Sequence, residues 1–363
     1  MIFKIFAFWR IGLFLVTFLG SLALPKIDNG GFGSIGPSRQ YNYWLSLAQW
    51  DGGHYFQIAK DGYIFISDYA FFPLYPALIN LAKILFLDNL MITGLVASNV
   101  AFLLFLLIFF EMVKKKYSRE VAISTIATFV TFPTTFFAVS YYSESLFLLL
   151  TVITFYFLSS KKFLLAALAT SLANLTRLVG AALIVAVFYS YFSSFQMSLK
   201  AINRKIILAI PALFGLVIYS LYLFSKLNDP FKYLTSQTFW QRSISDPIST
   251  ITSYIWATLV GEARPFNDYF DLFLTLSFLI ILIAGVKKIS SSLWIFSMLV
   301  ILIPASTGTL TSMPRYLLSS LGVFIIVGSY LTLWPRLKIA LWAISLAVQA
   351  ILATRFITGY WVA

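Results

Sequence analysis

The stretch FFPLYPALINLAKILFL, residues 71–87, is apolar throughout except for Asn80 and Lys83, and is almost long enough to cross a bilayer. A transmembrane helix needs roughly 20 apolar residues to cross a hydrocarbon core of about 30 Å, so length leaves this segment ambiguous. Charge decides it. If 71–87 crossed, the next apolar run, residues 90–113, would end outside and carry Lys114, Lys115 and Lys116 with it. Short loops rich in Lys and Arg mark the cytoplasmic face. The segment is therefore read as a helix lying in or near the outer interface, its start broken by Pro73 and Pro76.

Working outward from it, the rest of the chain falls into alternating apolar runs and loops. A first helix starts near Phe6 with its N-terminus inside and leaves the membrane near Leu24. With Lys4 and Arg10 around a run ending SLALP it superficially resembles a signal peptide, but its length and the many later spans favour an uncleaved anchor. A long external loop, residues 25–70, opens with PKIDNGGFGSIGP, whose glycines and prolines cannot sustain a helix. Apolar residues recur with helical spacing over 45–59, which predicts one amphipathic helix lying at the membrane surface. After 90–113 runs inward, 121–140 goes out, 145–159 returns, and 163–195 holds an out-and-back pair with Arg177 near its outer turn. Residues 206–225 then lead out to a second polar external segment, 226–268. Spans follow at 269–286, 293–306, 316–334 and 339–354, with STGTLTSMPRY at an outer turn and the C-terminus outside. The expectation is an all-α polytopic membrane protein of about eleven transmembrane helices, forming one integral membrane domain over residues 1–363. Residues 25–88 are its first external loop, with interfacial helices, and 226–268 its second.

Composition agrees. With 60% hydrophobic and 11% charged residues, the chain lacks the polar surface to cover a soluble globule. The net charge of +13 would suit nucleic acid if it were spread over one face. Instead, basic residues cluster in short inner loops: Lys114–Lys116 with Arg119, Lys161 and Lys162, Lys200 with Arg204 and Lys205, Lys287 and Lys288, Arg336 and Lys338. Of 13 acidic residues only Glu111 and Glu120 lie beside these loops, so the excess is a topology signal and no nucleic-acid partner is expected. The absence of cysteine excludes disulfides, thiolate nucleophiles and Cys-ligated metals.

The longer, chemically varied segments are the outer ones, and four patches stand out there: WDGGHYFQIAKDGY (50–63), YYSES (141–145), 227–247 and TSMPRY (311–316). Asp51 and His54 lie three apart, on one face of a helix. A carboxylate beside an imidazole at a membrane surface can accept a proton from an acceptor hydroxyl, while Trp50, His54 and Tyr55 would equally suit an interfacial aromatic belt. Arg177, flanked by apolar segments, needs an anionic partner, either a headgroup phosphate of membrane lipid or the phosphate of a bound lipid substrate. Arg242 and Arg315 pose the same choice. Glu144, between Tyr142 and Ser145 at a helix start, either complements the helix dipole or contacts substrate. The Asp-Gly-Gly-His stretch could help hold a divalent metal ion, although its ligands are too few to assign one, and no cofactor follows.

WDGGHYFQIAKDGY followed by AFFPLYP resembles the first external loop of the PIG-V family of mannosyltransferases, within the GT-C superfamily of membrane glycosyltransferases. YYSESLFLLL resembles that family's next motif, LTRLVG its Arg-x-x-Gly element at Arg177 and Gly180, and SMPRY its C-terminal signature. The resemblance implies a GT-C bundle with the catalytic aspartate on a surface helix. It also implies transfer of a sugar, with mannose first, from a polyprenyl-phosphate donor to a hydroxyl of a glycolipid or other extracytoplasmic acceptor. In that scheme Asp51 is the general base of an inverting displacement, and His54 orients the acceptor or contacts the donor phosphate. Arg177, Arg242 and Arg315 stabilise the leaving lipid phosphate, and Tyr142, Glu144 and Trp50 position substrate. The chain is shorter than the eukaryotic enzyme and resembles a prokaryotic form, which implies a multi-pass protein of the plasma membrane with its active face outside. The rival function is a transporter or flippase of lipid-linked sugars. Such proteins commonly show internal repeats and broken helices at the midplane, whereas polar residues here sit at the outer ends of the spans. A non-catalytic scaffold for a glycosylation complex is a third reading, which holds if Asp51 is dispensable.

Overall fold

The computed structural model describes residues 1–29, 40–198 and 204–362. The Gly-rich stretch at 30–37 and Lys200 of the basic loops lie outside the described residues. In chain order the α-helices are α1 (Ile2–Ala23), α2 (Tyr43–Ser46), α3 (Asp51–Asp61), α4 (Leu74–Ala82), α5 (Leu90–Lys116), α6 (Arg119–Thr131), α7 (Glu144–Ser159), α8 (Phe163–Asn174) and α9 (Ala181–Ser193). They continue with α10 (Phe214–Leu227), α11 (Lys232–Thr235), α12 (Pro247–Leu259), α13 (Phe266–Ala284), α14 (Ser291–Ala305), α15 (Met313–Leu317), α16 (Leu321–Leu331) and α17 (Pro335–Ile357). No β-strand occurs among the described residues.

Five stretches are long and apolar enough to cross a membrane: Ile2–Ala23, Leu90–Lys116, Arg204–Leu227, Phe266–Ala284 and Pro335–Ile357. Shorter apolar helices of 10–17 residues include Leu74–Phe86. At 1.5 Å per residue that helix reaches only about 20 Å, short of a hydrocarbon core. Its Leu81, Ile84, Leu85 and Leu87 are exposed, as suits a helix lying against lipid. On α1, Phe8, Ile11, Leu15, Leu19 and Leu22 are exposed at steps of three and four residues. In water that stripe would be a large apolar patch. In lipid it is the ordinary surface of a membrane helix.

Several expected continuous helices are broken; the run expected over 206–225, for one, begins as 3₁₀ turns at Arg204–Leu208 and Ile210–Leu213 ahead of α10. Residues 45–59 form α2 and α3 rather than one amphipathic helix, because Trp50 takes φ 58°, outside the helical region, between them. The run expected over 121–140 stops at Thr131 ahead of Pro133, and a 3₁₀ turn occupies Thr135–Val139. The run expected over 316–334 is split into α15 and α16.

The chain divides into two compact units. The first comprises Met1–Ile64, Tyr75–Leu146 and Val327–Ala363. Its core is a phenylalanine cluster in which Phe102, Phe105 and Phe109, three and four apart on α5, meet Phe129 of α6; the Phe105 and Phe129 ring centroids are 4.9 Å apart. Gln349 of α17 ties three helices. Its Nε2 donates to the carbonyls of Val130 (3.1 Å) and Phe132 (2.6 Å), and its Oε1 accepts from Trp9 Nε1 of α1 at 2.8 Å. Phe132 caps α6, so this side chain satisfies a helix-end carbonyl that no later turn reaches.

The second unit comprises Phe65–Leu74 and Phe147–Ile326. Its short first segment is held by hydrogen bonds from Tyr219 Oη of α10 to the carbonyls of Tyr69 (2.8 Å) and Phe71 (3.3 Å), and from Ser236 Oγ to Ile66 (2.8 Å). Phe72 packs on the rings of Tyr219 and Tyr233. Asn174 at the end of α8 donates to the Ala212 carbonyl at 2.9 Å, beside Pro211, where the backbone has no amide to offer.

Candidate functional site

The first unit brings two of the sequence motifs together. Asp51 opens α3 and His54 lies one turn on, both half-exposed, with the carboxylate in the first turn, where the helix dipole favours negative charge. The YYSES segment packs on this turn through its backbone. The Tyr141 amide donates to the Leu47 carbonyl at 3.0 Å, Tyr142 Oη donates to the Gln49 carbonyl at 2.7 Å, and Tyr55 Oη and Ser143 Oγ share a hydrogen bond of 2.7 Å. Gly52 is needed for that approach. A Cβ there would stand 3.0 Å from the Tyr141 carbonyl oxygen and 3.1 Å from the Tyr142 ring. Tyr142 is fully buried and Glu144, 3% exposed, sits in the first turn of α7. Trp50 holds its positive φ with its ring edge-on to Trp361, centroids 4.9 Å apart. A bulky residue in that region costs energy that surrounding structure must offset, and such strain gathers at functional sites.

The second unit holds all three predicted arginines and gathers two of them, Arg177 and Arg242, on one ring. Arg177 leaves α8 in an extended conformation and Gly180 turns back so closely that a Cβ would lie 2.7 Å from Asn174 Oδ1 and 3.0 Å from its Cα. This is the physical content of the Arg-x-x-Gly spacing. The guanidinium of Arg177 lies over the Tyr316 ring at 5.3 Å, and that of Arg242 over the same ring at 5.9 Å. Arg315, 5% exposed, immediately precedes Tyr316 on α15. Arg242, itself buried, donates through Nη1 to Thr307 Oγ1 (2.9 Å) and through Nη2 to the Thr311 carbonyl (2.7 Å).

One residue of this cluster escaped the sequence reading. Asp271 of α13 is 2% exposed; its carboxylate accepts the backbone N–H of Ser312 and lies in the field of Arg242. The available signal was an acidic residue inside an otherwise apolar run, which by default marks function in a membrane protein. Among the described residues no group of three or more His, Cys, Asp or Glu side chains gathers in a way that would hold a metal ion. Asp51 and His54 alone do not make a cation cage.

With this geometry in place, the chain matches the mannosyltransferase (PIG-V) family over residues 20–264, about two thirds of its length. It belongs to that family. The match favours a glycosyltransferase over a transporter. No curated protein matches the sequence. Among solved structures, ArnT from Cupriavidus metallidurans bound to undecaprenyl phosphate superposes with TM-score 0.56 at 13% identity, over 96% of this chain and 63% of that one. The oligosaccharyltransferase of Archaeoglobus fulgidus, in complex with Zn and sulfate, superposes with TM-score 0.53 at 13% identity, over 100% of this chain and 54% of that one. Apo ArnT gives 0.52 at 15% identity, over 92% and 61%. The family member described here thus has the GT-C fold and spans between about half and two thirds of the length of these enzymes.

Proposed function

We propose that the protein is an inverting mannosyltransferase that moves the sugar of a polyprenyl-phosphate donor to a hydroxyl of a lipid-linked or other acceptor on the extracytoplasmic side of the membrane. The observation that carries this reading is the gathering of Arg177 and Arg242 on the one ring of Tyr316, with buried Arg315 beside it. Two guanidiniums on one ring, with a third arginine next to that ring's residue in the chain, are a donor set of the kind that binds a phosphate ester. Family membership supports mannose, and the undecaprenyl phosphate bound by ArnT supports a polyprenyl carrier.

In this mechanism the Asp51 carboxylate takes the proton of the acceptor hydroxyl as that oxygen attacks the anomeric carbon. The bond from the anomeric carbon to the phosphate oxygen breaks, its electron pair leaves with the polyprenyl phosphate, and the configuration at carbon inverts. Charge grows on the leaving phosphate in the transition state, so preplaced arginines there lower the barrier more than they tighten ground-state binding. His54 orients the acceptor or contacts the donor phosphate; Glu144, Tyr142 and Trp50 position substrate near Asp51.

The test is transfer of radiolabelled mannose from polyprenyl-phosphate mannose by the purified protein in lipid, with total membrane lipid as acceptor. Label in a lipid or extractable product supports the reading and isolates the acceptor. Absence of transfer from mannosyl, glucosyl and aminoarabinosyl carriers alike, with donor still bound, would return the protein to the transporter class.

A further inference from the structure

Ser312 stands at φ 68°, ψ 13°, a left-handed conformation that a non-glycine residue adopts at a cost. It sits at the centre of the arginine cluster. The preceding residue, Thr311, offers its carbonyl to Arg242 Nη2, and the chain that follows Ser312 enters α15 with Arg315 and with Tyr316, the ring under both Arg177 and Arg242. The backbone direction at Ser312 therefore sets three things at once: the acceptor that fixes Arg242, the height of the Tyr316 ring, and the position of Arg315.

The group that holds Ser312 comes from another helix. Asp271, six residues into α13, accepts the Ser312 N–H, and its Oδ1 has no hydrogen-bond partner among the described residues. A carboxylate buried inside an apolar helix is expensive. Leucine or asparagine would pack in its place at lower cost, so packing does not account for it. The acid instead supplies an acceptor oxygen to the single amide whose orientation the site depends on.

We infer that Asp271 is a positioning residue for the arginine cluster: by clamping the Ser312 amide it holds the left-handed turn that places Arg242, Arg315 and Tyr316 around an anionic phosphate ester of a lipid. The inference rests on the phosphate role proposed above for those arginines. It predicts that the clamp becomes unnecessary once the turn is free of strain. Glycine adopts the left-handed region without penalty, so Ser312→Gly should stand in for the missing acid.

The experiment is binding of decaprenyl phosphate to the full-length protein in nanodiscs, for wild type, Arg242→Ala, Asp271→Ala, Asp271→Asn and the double variant Asp271→Ala with Ser312→Gly. Asp271→Ala is expected to bind about tenfold more weakly than wild type, as expected when a buried amide loses its acceptor. The double variant is expected to recover to within about threefold of wild type, which a purely structural role for Asp271 would not produce. Asp271→Asn keeps an acceptor oxygen but no charge, and is expected to fall between the two; it carries the test if Asp271→Ala does not fold. Wild-type affinity in both Asp271 variants, while Arg242→Ala binds weakly, overturns the inference, and so does weak binding that Ser312→Gly fails to restore. If Arg242→Ala binds as well as wild type, the phosphate reading itself fails and the clamp falls with it.

Discussion

At the residue scale the proposed chemistry turns on Asp51 and the glycine after it. Asn in place of Asp51 keeps shape and helix position but cannot take a proton at neutral pH. General-base catalysis contributes about 10²- to 10⁴-fold, so Asp51→Asn is expected to lose transfer by that factor with an unchanged melting temperature. Near-normal turnover would remove Asp51 as the base. Gly52→Ala tests the contact that seats Asp51. Alanine gains about 1 kcal/mol of helix propensity over glycine, but its Cβ would meet the Tyr141 carbonyl oxygen at 3.0 Å and the Tyr142 ring at 3.1 Å. Overpacking against backbone costs about 1–3 kcal/mol, so the clash wins. Gly52→Ala is expected to lower the melting temperature in detergent and to reduce transfer by more than its loss of folded protein explains.

At the element scale, what was legible in the sequence depended on how local the cause was. Pro73 and Pro76 mark the start of Leu74–Phe86, a short apolar helix; its place in the interface is an expectation that rests on the lysines after residue 113. The pair α8 and α9 with Arg177 between them followed from apolar spacing. The break at Trp50 did not, because a positive φ at tryptophan is imposed by contacts elsewhere and has no sequence signature. The tie between the Asp51 turn and the YYSES segment was hidden in part: beside the Tyr55–Ser143 side-chain bond it runs through the carbonyls of Leu47 and Gln49, which every residue type possesses. Side chains named the motifs, and backbone groups did much of the joining. Gln349 is a polar tie of the opposite kind, since its side chain does the joining. Gln349→Leu frees Trp9 Nε1 and the carbonyls of Val130 and Phe132 together. Interhelical side-chain bonds in membranes average about 0.6 kcal/mol, because freed groups find other partners. Three such bonds amount to about 2 kcal/mol, which thermal unfolding in detergent should register while the KM for donor stays unchanged. An equal loss in donor affinity would mean that Gln349 acts on the site as well.

At the scale of the whole molecule, the distribution of charge predicts which face of the membrane meets substrate, and the proposed chemistry depends on that face. A polyprenyl-phosphate donor needs no nucleotide site, so a transferase using it can work on the side that lacks nucleotide sugars. The inner loops of the expected topology hold Lys114–Lys116 at the end of α5 and Lys287 and Lys288 after α13, with few acids to offset them. The second polar segment, by contrast, mixes both signs and leaves Ile244 at 93% exposure beside Arg242. Because the chain contains no cysteine, each position can be tested alone without altering a background residue. Lys115→Cys and Lys287→Cys in intact cells are expected to react only with a membrane-permeant maleimide, and Ile244→Cys with an impermeant one as well. The reverse pattern would turn the protein over. Asp51 and the arginines would then face the cytoplasm, where nucleotide sugars and soluble acceptors are present. A polyprenyl-phosphate donor would lose its rationale, even though every contact within each unit stayed as it is.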